Sequence, residues 1–159
     1  TGPEAMRWKE EFIKAFNSME KAIRRKTEDL EWKTARLDGK ARRNVLTDVI
    51  KEFVDYASAQ GSSNCKMYYS NITKMEYKAL ALVERGEKVH NDFRDTLDKM
   101  QLNALCMSEQ IARHWIKEGM SRGLHYKEIY QLVKSKVEAY AEVASVTYIV
   151  NGENKILIG

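Results

Sequence analysis

Nucleophiles, bases and metal ligands are present in this 159-residue chain, but not at spacings that make a reactive group. No GxSxG, GxGxxG, P-loop or HExxH motif occurs, so the usual frames for acyl transfer, nucleotide chemistry and zinc hydrolysis are missing. Asp92, Asp95 and Asp98 recur every three residues and could face one cation, yet they lack the glycine and closing glutamate of an EF-hand. They read as a solvated acidic surface. The two cysteines, Cys65 and Cys106, sit in no CxxC pair, and His90, His114 and His125 are not placed to complete a zinc site with them. Cys106 falls on an apolar stripe and reads as a small core residue. His114 beside Trp115 reads as a pair at the edge of a core. The expectation is a protein that is not an enzyme, with no catalytic residue, no metal and no cofactor.

Charge is more informative. Between Lys21 and Arg43 nine basic residues face four acidic ones, a surplus larger than the net +4 of the whole chain. Arg24, Arg25, Lys26, Lys40, Arg42 and Arg43 are therefore candidate phosphate contacts, which supply affinity without base readout. The same pattern also suits the solvated face of a long helix. Tyr68 and Tyr69, in the run Met67–Met75, and Tyr148 near the C-terminus are candidate partner contacts, because tyrosine couples an apolar ring to a polar tip. Packing within the domain is the alternative for these rings.

These residues must be carried by helices. One proline and eight glycines leave long stretches free of breakers, and 43% hydrophobic residues suffice for a core. Phe16, Ile23, Leu30 and Leu37 recur every seven residues, with Ala5, Phe12 and Met19 interleaved, until Lys26 and Lys33 take over the second series. This predicts a helix over 3–37 that can form a coiled coil, with Phe12, Phe16, Met19, Ile23 and Leu30 at a homodimer interface. Asp38-Gly39 is expected to break or kink it.

Further helices are expected over 41–60, stopped by Gly61, then a short one capped by Asn64 and one starting near Lys74 from the capping box Thr73-x-x-Glu76. Residues 86–97 read as a loop, followed by helices over 99–121, capped by Asp98, and 125–144. Val146–Val150, Asn151-Gly152 and Lys155–Ile158 carry the signals of a β-hairpin. The predicted fold is mainly α: a long N-terminal helix, a small helical bundle and a C-terminal β-hairpin, with boundaries at 1–37, 38–145 and 146–159. No stretch is long and apolar enough to span a membrane.

Thr1-Gly2-Pro3-Glu4-Ala5-Met6, with Lys9-Glu10, Phe12-Ile13, Ala15-Phe16-Asn17 and Met19-Glu20, resembles the closing helix motif of the phage regulatory protein Rha family. Leu46-Thr47-Asp48, Phe53-Val54-Asp55-Tyr56-Ala57, Gln60-Gly61-Ser62, Tyr68-Tyr69 and Asn71–Met75 are similar to C-terminal regions of phage regulatory and antirepressor-like proteins, as are Gly119-Met120, Gly123 and His125–Tyr130. The resemblance implies a phage or prophage protein in the bacterial cytoplasm, acting on transcriptional control through a protein partner such as a repressor. It also implies a preceding module assigned to DNA binding, and the chain, opening on Thr1, reads as a fragment that begins within the last motif of that module. A DNA-binding module of a phage regulator, using the basic 21–43 stretch, is the alternative.

Overall fold

The computed structural model describes residues 2–83 and 88–144, and the backbone alone of 147–150 and 153–156. Four α-helices dominate: α1 (Pro3–Ala59), α2 (Tyr68–Ala79), α3 (Lys99–Ser121) and α4 (Tyr126–Ala144). Short 3-10 turns, Cys65–Met67 and Phe93–Thr96, precede α2 and α3. The chain divides into two compact units, Thr1–Thr34 and Ala35–Gly159.

In the first unit the helix holds itself together. Arg7–Glu11, Glu20–Arg24 and Asp29–Lys33 form ion pairs one turn apart, each worth about 0.2–0.5 kcal/mol on a solvated helix. The rings of Trp8 and Phe12 stack with centroids 5.7 Å apart. Every side chain from Glu4 to Glu31 is nevertheless exposed.

The second unit is a helical bundle. Leu46, Val49, Ile50, Phe53, Val54 and Ala57 line one side of α1, because their spacing returns to the same side every three or four residues. Those from Leu46 to Val54 meet Ile72 and Met75 of α2, Ala112 and Ile116 of α3, and Ile129, Val133 and Val137 of α4. Each large side chain so buried contributes about 1.5–3 kcal/mol.

Asp38-Gly39 does not break α1. Gly39 is buried, and a Cβ there would lie 3.5 Å from the Cys106 Sγ of α3. An added Cβ would make ordinary contact there, and the helix runs through the glycine unbroken. Leu37, two residues earlier, points the other way and is 64% exposed.

Gly61 and Gly123 end α1 and α3 with positive φ, +90° and +66°. In both places the amide after the glycine bonds the carbonyl five residues back, Ser62 to Ala57 and Leu124 to Gly119. Asp98 caps α3 as expected, accepting from the Gln101 amide while the Gln101 side chain accepts from the Asp98 amide. Thr73-x-x-Glu76 is not a cap. Helix α2 already starts at Tyr68, the Thr73 hydroxyl donates to the Tyr69 carbonyl, and Glu76 turns inward. Asn64 makes no side-chain capping bond either.

Helices α3 and α4 lie close at Gly119, where an added Cβ would meet Ile129 Cγ1 at 2.8 Å. Gly119→Ala should therefore lower stability by about 1–3 kcal/mol, the usual cost of overpacking a core. Urea unfolding checks it, and an unchanged midpoint would mean that Ile129 moves aside freely.

The packed fold is all α, and the expected C-terminal β-hairpin is corrected as one of its elements. Among the described residues, the helices and their connecting turns hold every buried side chain. The segments Thr147–Val150 and Glu153–Ile156 are extended and pair with one another. Asn151 and Gly152, whose turn chemistry carried that expectation, lie outside the described residues. Turn and alternation signals act over a few residues, and a two-stranded ribbon contributes little where four helices already close the core.

Candidate functional site

Inside the second unit two carboxylates and two guanidinium groups come together. Glu76 (0% exposed) enters from α2 and Glu109 (1%) from α3, while Arg43 reaches in from α1 and Arg94 from the 3-10 turn before α3. Arg94 Nη2 donates to Glu109 Oε1 at 2.7 Å, and its Nε donates to the Tyr77 hydroxyl at 3.0 Å. Arg43 Nη2 donates to Thr73 Oγ1 at 2.6 Å. Its Nη1 stands 3.8 Å from Glu109 Oε1 and 3.9 Å from Glu76 Oε2, within ion-pair range but making no hydrogen bond.

Glu109 and Arg94 thus form the tight pair, and Glu76 is held loosely. Both oxygens of Glu76 are buried without a hydrogen bond, as is Glu109 Oε2. Burial raises the Glu76 carboxyl to about 8, the Glu109 charge raises it too, and Arg43 and Arg94 oppose the shift. At neutral pH the cluster therefore holds a proton on Glu76. Such a group would suit general acid work if substrate could touch it. Its enclosure gives it a structural role instead.

Sequence reasoning missed Glu76, Glu109 and Arg94. A signal existed. Glu109 interrupts the stripe Leu102, Leu105, Ala112, Ile116 at stripe spacing, and Glu76 follows Ile72 by four residues. A charge on an apolar stripe needs an opposite charge from another element.

The sequence-derived candidates separate into distinct places. Phe12, Phe16, Met19, Ile23 and Leu30 lie on the first unit, each 56–61% exposed. Among the basic candidates, Arg24 pairs with Glu20, whereas Arg25, Lys26, Lys40 and Arg42 are exposed. Arg43 differs from them: its side chain is 24% exposed and reaches toward Glu76 and Glu109 of the buried cluster.

Arg42 lines a 160 Å³ recess with Ala41, Val45, Gln110, Arg113 and Glu109. Tyr68 is half-buried in an aromatic cluster, its ring centroid 4.9 Å from Phe53, 5.5 Å from Tyr130 and 6.3 Å from Tyr126. Tyr69 is also half-buried and packs against the core. Tyr148 lies outside the described side chains.

Asp95 accepts from Arg36 and Asp98 caps α3, so two of the three aspartates are engaged in the fold. No cluster of metal-ligating side chains occurs among the described residues. His114 packs edge-on to Trp115, over which the Lys136 ammonium sits 4.5 Å from the ring centroid. Both cysteines are free thiols. Among the described residues no helix is long and apolar enough to cross a membrane.

A second polar place lies between α2 and α4. Asn71, Lys74, Met75, Lys78 and Ala79 face Tyr130, Lys134 and Glu138 across an open cleft of 340 Å³. Lys134 Nζ is 3.8 Å from Glu138. Comparison with protein-family models, curated proteins and solved structures yields no match for this chain.

Proposed function

We propose that this chain is a self-associating, protein-binding module of a phage regulatory protein of the antirepressor-like kind, working through contacts and not through covalent chemistry. The carrying observation is the exposed apolar stripe Phe12, Phe16, Met19, Ile23 and Leu30 on the first unit of α1. An apolar series recurring at three and four residues suits the seam between paired helices. A second copy presents the same stripe and is thereby self-complementary, as a two-fold dimer requires. Lys26 and Lys33 interrupt the second series, which confines the tight part of the seam to the Phe12–Ile23 segment. The resemblance to Rha-family and antirepressor-like proteins supports placing the module in phage transcriptional control, with a repressor as the protein partner.

Sedimentation equilibrium tests the assembly. Dimers are expected at roughly 100 µM, and Phe16→Glu with Ile23→Glu should weaken association at least about a hundredfold. The variant should keep the helical circular dichroism of the second unit. A wild-type chain that stays monomeric at that concentration defeats the proposal.

A further inference from the structure

We propose that the cleft between α2 and α4 binds the backbone of a single-stranded nucleic acid. Three ammonium groups stand on its rim from two helices: Lys74 and Lys78 of α2, and Lys134 of α4. Lys74 and Lys78 are one helical turn apart, a rise of about 6 Å, so they can meet successive charges along a strand. Both are exposed and neither enters an ion pair among the described residues. Among the described residues Glu138 is the one acidic residue lining the cleft, and Lys134 lies beside it.

The other lining residues are of a different character. Met75 is buried, Ala79 is small, and Tyr130 brings an aromatic ring that also packs on Tyr68. Ammonium groups and an aromatic ring lining one cleft suit a phosphate joined to a flat base, which stacks on a ring irrespective of its identity. Asn71 adds an amide that can donate to or accept from a base edge. The volume lies in the range of small-ligand sites, and the cleft is open, so a strand can pass through it. An acidic peptide would use the lysines but bring no base to the Tyr130 ring.

The experiment is fluorescence anisotropy of a labelled oligothymidylate with the full chain, with and without Lys74→Gln, Lys78→Gln and Lys134→Gln together. A control carries Lys9→Gln, Lys14→Gln and Lys21→Gln, which removes equal charge from the first unit. Wild type and control should bind alike, with a slope of log affinity against log salt near about −2 for three strand phosphates. The cleft variant should bind at least about tenfold more weakly and with a flatter slope. Equal loss in the control, no binding at about 50 mM salt, or competition by polyglutamate or free adenosine diphosphate as strong as by the unlabelled strand would each overturn the assignment. Helical circular dichroism confirms that the variants are folded. The oligomeric state of the cleft variant should match wild type, which keeps this test independent of the self-association test.

Discussion

Arg94→Ala should lower the stability of the protein by about 3–5 kcal/mol, the range for removing one partner from a buried ion pair. Arg94 joins the 3-10 turn before α3 to Glu109 on α3 and to the Tyr77 hydroxyl on α2. Removing the guanidinium leaves the Glu109 carboxylate facing only Arg43, whose nearest nitrogen is 3.8 Å away and makes no hydrogen bond to it. Replacing both partners, Arg94→Met with Glu109→Leu, should recover part of the loss, because the stranded Glu109 carboxylate goes with its partner while Arg43, 24% exposed, keeps its bond to Thr73. Urea unfolding of the single and double variants measures both. A single variant within about 1 kcal/mol of wild type would show that water or Arg43 replaces the lost guanidinium.

The helical architecture was legible because its signals are periodic. The stripe Leu46, Val49, Ile50, Phe53, Val54, Ala57 and the caps at Asp98, Gly61 and Gly123 depend on neighbours within one or two turns, so a local reading finds them. The errors fall where distant contacts decide. Asp38-Gly39 looks like a break until Cys106 of α3 is seen 3.5 Å from the missing Cβ. Thr73-x-x-Glu76 looks like a cap until Glu76 is seen facing Glu109 and Arg43.

The same reason accounts for the site. Arg43 belongs by sequence to a basic stretch and by structure to a cluster assembled from four separate elements. A stripe of apolar residues needs only its own helix to be recognised, whereas an ion cluster needs all its partners. Likewise the lysine-rimmed cleft joins residues from 71–79 and 130–138, which no single segment displays.

The stability of the protein should fall as pH rises from the ordinary glutamate range through about 8, and Glu76→Gln should remove that fall. The native state holds a proton on Glu76 up to about 8, while the unfolded chain releases it near the model-peptide value of 4.5. Between these limits folding takes up a proton, so each rise in pH works against the native state. Below the lower limit both states carry the proton and the contribution is fully present; above the upper one the loss is complete and the curve levels. The size follows from about 1.4 kcal/mol per unit of difference, and reaches several kcal/mol across the window. The groups facing Glu76 set the direction: Glu109 opposes its ionisation, Arg43 and Arg94 favour it, and burial outweighs both. The informative quantity is the difference between wild type and Glu76→Gln at each pH, because contributions shared by both chains cancel in it. The two should have similar stability near pH 5, and the glutamine variant should be the more stable above about 8. Parallel stability curves across the window would mean that Glu76 is ionised in the native state, with Arg43 moved close enough to neutralise it.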